Sequence, residues 1–223
     1  MSVLLLALLL FTSWLVRLAL GSLGRVAGIL RVPGNLLHEL AHAVVMLACG
    51  YTVLGFTISA MDPEGRGGVR PGAPWAPWAR SWLANLISPV APVAAGWAAL
   101  ALLREWGGLP GLPRAVAGVL PVATTIPWER WQAWASVLLS MSVAAELAPS
   151  DVDLRVWRWP ALGLVVVGGF VWFVGEKFAP GVLVAGLAPV DAAMLPSLAS
   201  ALAMAVWAGV TMLPLATIAR WSR

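Results

Sequence analysis

The chain's two histidines, His38 and His42, stand four residues apart in the stretch NLLHELAHAVVMLACG (35–50), with Glu39 between them. Residues four apart on an α-helix share a face and lie about 6 Å from one another, so the two rings can chelate one ion. Glu39 is turned by about 100° from His38. That leaves it beside such an ion rather than bonded to it, placed to take a proton from water. The pattern His-Glu-x-x-His has this physical content: two neutral imidazoles hold Zn2+, the metal lowers the pKa of a water, and the carboxylate acts as general base and then as acid to the leaving amine. With two histidines and ten acidic residues shuffled over 223 positions, the pattern arises by chance on the order of 4 times in 10,000. Two core histidines without a metal would need hydrogen-bond partners that this apolar stretch does not supply, and unpaired polar groups in lipid cost several kcal/mol each.

A catalytic zinc takes three protein ligands and keeps one position open. No third histidine exists, so the remaining ligand is a carboxylate or, as a weaker choice, Cys49. Cys49 lies seven positions after His42, two helical turns or roughly 10 Å away, and reads better as a small buried residue. As the only cysteine it also excludes an intramolecular disulfide. Most acids sit singly in polar loops. The exception is AAELAPSDVDLRVW (144–157), which brings Glu146, Asp151 and Asp153 to the junction of two apolar runs. Ser150 and Asp153 fit a helix-capping pair, which gives Asp153 a structural task and makes Asp151 the first choice for third ligand. Asp153 is the alternative, and Glu146 ranks behind both.

The elements that must position these residues belong to a membrane protein. Hydrophobic residues make up 61% of the chain and charged residues 11%, against about a quarter charged in soluble domains, and the mean hydropathy is +0.88. Runs long enough to cross about 30 Å of hydrocarbon fall at roughly 2–22, 34–50, 81–103, 130–148, 159–175 and 194–218. The first has no basic residue ahead of it and no small-residue cleavage site, so it is expected to remain as a span. Tryptophans near run ends, Trp75, Trp78, Trp128, Trp131, Trp157 and Trp159, fit aromatic belts at the interfaces. The arginines are scattered singly, which argues against nucleic acid and for topology. Arg25 and Arg31 follow the first span and place that loop in the cytoplasm.

Between the runs, YTVLGFTISA (51–60) reads as a strand or hairpin, and the Gly- and Pro-rich segment 62–77 as an irregular loop. An exposed strand edge next to such a site can bind an extended peptide. Pro89 and Pro92 kink span 81–103 and turn it inward, where neighbouring protein or a water-filled cavity satisfies the freed carbonyls. Simple alternation of spans puts His38 near the cytoplasmic end of its span and Asp151 near the opposite face. Either segment 114–127 enters the membrane or span 81–103 turns back midway. No internal repeat or long linker divides the chain, so 1–223 is one domain.

The sequence resembles the site-2 protease family of intramembrane zinc metallopeptidases, in particular its small, compact members. The likeness covers HELAHAVVMLACGYTVLGFTI, then NLISPVAPVAAG, which looks like the family's apolar Gly-Pro-x-x-Asn element, then the aspartate in APSDVD. It implies that His38 and His42 are zinc ligands, Glu39 the catalytic glutamate and Asp151 or Asp153 the third ligand. The implied reaction is hydrolysis of peptide bonds within or next to a transmembrane segment. Two departures stand out: Ser88-Pro89-Val90-Ala91-Pro92 lacks the asparagine, although Asn85 lies one turn earlier, and no Asp-Gly pair follows the distal aspartate.

The expected protein is thus an all-α polytopic membrane protein of about six transmembrane helices, with a short strand or hairpin segment after the metal helix. Its cofactor is Zn2+, and its partners are a membrane-protein substrate and the lipid bilayer, with no nucleic acid. Arginine outnumbers lysine 13 to 1, which suits a GC-rich prokaryote and hence the bacterial cytoplasmic membrane. The competing readings are a membrane zinc hydrolase acting on a lipid amide and a non-catalytic zinc-binding scaffold.

Overall fold

The computed structural model describes residues 2–21, 23, 25–58, 68–79, 81–110, 126–148, 150–178 and 180–221. In chain order the elements are α1 (Ser2–Gly21), α2 (Arg25–Ala48), β1 (Tyr51–Thr57), β2 (Gly68–Pro74), α3 (Ser81–Ile87), a 3-10 turn (Ser88–Val90), α4 (Ala91–Gly107), α5 (Trp131–Glu146), α6 (Asp151–Phe178) and α7 (Val182–Trp221). The protein is therefore mostly helical with one small antiparallel sheet.

Among the described residues, three stretches are long and apolar enough to cross a membrane on their own: α1, the continuous Ser81–Gly107 segment, and Val184–Thr211 within α7. The other expected spans fall short for local reasons. Helix α2 carries Arg25, Arg31 and Glu39 along its length. Helix α5 has 16 residues, about 24 Å at 1.5 Å per residue, less than the hydrocarbon thickness. In α6 the apolar stretch is Val165–Val174.

Helix α5 is the axis of the molecule. From Ser140 to Glu146 every residue is buried, as expected of a helix surrounded by others, and the run SMSVAAE is small enough to let neighbours come close. Helices α1, α2, α4 and α7 pack against it, and the shared core includes Leu9, Val16 and Leu20 of α1, Leu100 of α4, and Met204 and Trp207 of α7. The side chain of Ser13 enters the end of α5. Its hydroxyl accepts the Ala148 N–H at 3.1 Å and donates to the Ala144 carbonyl. Those two groups would otherwise form the next i→i+4 helical bond, so α5 stops there.

Helix α2 meets α5 through a proline and a glycine. Pro33 lies inside the helix, where its ring disturbs the preceding turn. The following Gly34 donates its N–H to Ser142 Oγ at 2.7 Å. A Cβ at Gly34 would overlap the Ser142 carbonyl, so only glycine admits this approach. The buried stripe of α2 runs through Ala27, Asn35, His38, Glu39, His42 and Ala43, while Ile29, Leu40, Val44 and Leu47 face outward.

The expected strand is present, and its partner comes from the segment read as an irregular loop. Tyr51 pairs with Pro74 and Thr57 with Gly68, with register shifts between Tyr51 and Gly55. Strand β2 holds Pro71 and Pro74 because, in a two-stranded sheet, one side of each strand needs no ladder donor. At the prolines of span 81–103 the α-helix gives way to the 3-10 turn Ser88–Val90. Backbone angles at Ile87, Val90 and Ala91 stay in the right-handed helical region, so this span continues forward rather than turning back. Most of segment 114–127 lies outside the described residues.

The expected placement of His38 near a helix end is corrected by the true start of α2. The helix begins at Arg25, so His38 lies near its middle, and Arg31 is a helical residue rather than a loop charge. Its guanidinium finds Glu146 across the α2–α5 contact.

Candidate metal centre

Three side chains from two helices converge. His38 and His42 come from the inner face of α2, and Asp153 from the first turn of α6. The two Nε2 atoms are 3.2 Å apart. Asp153 Oδ2 lies 3.4 Å from His38 Nε2, and Oδ1 lies 3.2 Å from His42 Nε2. All three residues are buried. Among the described residues this is the group of His, Cys, Asp and Glu side chains that can hold a metal ion.

The outer nitrogens of both rings are already engaged. His38 Nδ1 is 2.7 Å from the Glu146 carbonyl oxygen. A carbonyl only accepts, so the proton of a neutral His38 sits on Nδ1 and its Nε2 carries a bare lone pair. His42 Nδ1 is 2.9 Å from Ser88 Oγ, which can accept in the same way. Two unprotonated nitrogens and a carboxylate then point at one another across 3.2–3.4 Å, an arrangement of acceptors that calls for a cation. Donors bound at about 2.0–2.2 Å around a tetrahedral ion stand about 3.3 Å apart, and the residues therefore fit zinc in number, type and spacing.

Local sequence explains each placement. The His42–Ser88 contact depends on the turn at Ser88–Val90, where Pro89 and Pro92 contribute no N–H to the ladder. Asp153 is fixed by a reciprocal cap: it accepts from Ser150 N at 2.8 Å and from Ser150 Oγ at 2.6 Å, and its own N–H reaches Ser150 Oγ at 3.2 Å. The cap does not disqualify Asp153 as a ligand. A carboxylate offers about four acceptor sites, so Oδ2 accepts from Ser150 while both oxygens face the histidines. Asp153, the alternative from the sequence, is thus the carboxylate brought to the pair; the Asp151 side chain lies outside the described residues. Cys49 is buried beyond the end of α2 and is not part of the group. The Glu146 carboxylate is directed to Arg31 and Asn35 instead of the histidines.

Glu39 is buried beside the group, and its Oε2 has no hydrogen-bond partner among the described residues. Orphaned buried carboxylate oxygens are costly, and Glu39 lines a cavity of about 200 Å³ together with His38, His42 and Asp153. The far wall of the cavity includes Gly68 and Val69 of β2 and Asn85 of α3. The hairpin is thus a wall of the site.

Comparison with known protein families, curated proteins and solved structures finds no match to the chain. The site therefore rests on its own geometry. The sequence missed Ser88 and the Glu146 carbonyl as partners of the histidines, and Asn35 as a partner of the Glu146 carboxylate. For Ser88 a signal existed, a Ser-Pro pair inside an apolar run. Asn35 lies three residues before His38 and shares its helical face. Backbone carbonyls leave no mark in a sequence.

Proposed function

We propose that the protein is an intramembrane zinc metalloendopeptidase of the site-2 protease kind, cleaving peptide bonds in or near transmembrane segments of other membrane proteins. The observation that carries this reading is the convergence of His38, His42 and Asp153 beside a buried Glu39 with a free oxygen, at a cavity large enough for water. When bound, Zn2+ supplies Lewis-acid activation of a water and of the scissile carbonyl. Glu39 takes the proton of the attacking water and returns it to the leaving amine. The Glu146 carbonyl and Ser88 hold the histidine rings in the tautomer that leaves both Nε2 atoms free.

The surroundings suit a substrate inside the bilayer. His38 lies about 20 Å from the start of α2 and about 15 Å from its end at 1.5 Å per residue, which is mid-depth for a helix of this length. The wall formed by β2 offers main-chain groups to an extended segment of substrate, and an extended segment is what a protease active site needs from a transmembrane helix. In this reading the chain is a multi-pass protein of about six spans in the bacterial cytoplasmic membrane. Helices α2, α5 and α6 join the three long apolar ones by packing against them or facing lipid.

The test uses protein purified in detergent. Wild type is expected to carry about one zinc per chain and to cleave a transmembrane peptide, while Glu39→Gln keeps the zinc and loses cleavage. Zinc present at wild-type level in His38→Ala would overturn the metal site. Hydrolysis of lipid amides but no transmembrane peptide would favour the lipid-hydrolase reading.

A further inference from the structure

Glu146 is the last residue of α5 and is 5% exposed. Its two ends do different things. The backbone carbonyl receives His38 Nδ1 at 2.7 Å. The side-chain carboxylate accepts from Arg31 Nε and, at 3.5 Å, from Asn35 Nδ2. Arg31, Asn35, His38 and His42 recur at intervals of four, three and four, one face of a single helix. Helix α2 therefore grips the residue at the end of α5 by its side chain and leans His38 on the same residue's main chain.

A buried carboxylate is costly unless a cation and hydrogen bonds accompany it, and Arg31 supplies the cation from the helix that bears the metal ligands. The contact of Gly34 with Ser142 already holds α2 against α5 one turn away, so closeness of the helices does not require the ion pair. What the ion pair adds is local: it ties down the terminal residue of α5, where the helical ladder has ended at Ser13 and the carbonyl is left out of it, since the Ser150 N–H is taken by Asp153.

We propose that Glu146, clamped by Arg31 and Asn35, is a positioning residue for His38, aiming its own carbonyl at Nδ1 so that the ring presents an unprotonated Nε2 to the metal. The inference rests on the metal reading above. Groups that orient a metal-bound histidine typically contribute 10- to 100-fold in affinity.

The experiment measures zinc affinity of the full chain in detergent by chelator competition, together with the visible spectrum of the Co2+-substituted protein and the melting temperature without metal. Glu146→Gln leaves the half-buried Arg31 without its partner, and Arg31→Gln leaves the buried Glu146 carboxylate without its cation. Each is expected to weaken zinc binding by about 10- to 100-fold and to shift the cobalt spectrum. The double variant Arg31→Gln/Glu146→Gln, neutral and still able to hydrogen-bond, is expected to recover most of the affinity. Wild-type affinity and an unchanged cobalt spectrum in Glu146→Gln, whatever its melting temperature, would overturn the proposal, as would a double variant no better than the singles. If Glu146→Gln does not fold, Arg31→Gln and the double variant decide. His38→Ala and Asp153→Ala separate the two levels of inference: zinc retained by these variants defeats the metal site itself, whereas zinc lost in them but kept in Glu146→Gln defeats only the positioning role.

Discussion

Ser88 Oγ lies 2.9 Å from Nδ1 of His42, so a hydroxyl set in a proline-bearing turn fixes one ring of the histidine pair. Ser88→Ala leaves a buried N–H without an acceptor. Zinc affinity is expected to fall by roughly tenfold with little change in helix content, read by chelator competition beside far-ultraviolet circular dichroism. Ser88→Thr keeps the hydroxyl and is expected to bind zinc more tightly than Ser88→Ala.

The two aspartates at the start of α6 separate cleanly by zinc content. Asp153→Ala is expected to lose the metal to the same extent as His38→Ala, because its oxygens lie 3.2–3.4 Å from both Nε2 atoms. Asp151→Ala is expected to retain it. Atomic absorption on the three purified variants beside wild type gives the answer.

Glu39→Gln preserves shape and removes the base. Cleavage of a transmembrane peptide is expected to drop by about 10²- to 10⁴-fold, the usual contribution of a general base, while zinc content stays at the wild-type level.

Gly34→Ala places a methyl group against the Ser142 main chain. The neighbour is backbone and cannot swing aside, so the variant is expected to be destabilised by about 1–3 kcal/mol and to bind zinc more weakly as α2 moves from α5. Gly163→Ala is the control: an added Cβ there meets nothing within 4 Å, and its melting temperature is expected to stay at or slightly above wild type.

The parts of the site legible in the sequence were those encoded by local spacing. His38, Glu39 and His42 follow from helical periodicity alone, and the strand after the metal helix from its β-branched and aromatic run. What the sequence concealed depended on contacts across the fold. Asp153 looked occupied by its cap because a linear reading assigns one task per carboxylate, whereas the folded group serves Ser150 and the histidines together. Arg31 looked like a loop charge because apolarity drops before residue 34, yet its partner, Glu146, lies 115 positions away. Strand β2 was hidden by its prolines, which a two-stranded sheet tolerates. The start of α2 at Arg25 puts His38 near the middle of that helix, and it is there that the α5–α6 junction meets it.

The carboxylate of the ligand set belongs to a helix that packs on little else. Successive residues Val165, Val166 and Val167 of α6 are all more than 60% exposed, so this helix contacts mainly what surrounds the protein. During synthesis the histidine pair leaves the ribosome more than a hundred residues ahead of Asp153. On the proposed metal reading, a nascent chain therefore holds two of the three ligands, without the third, for about half of its translation. On the proposed reading, hydrolytic competence arrives late, once α6 has been made, and the membrane is spared a partly built protease.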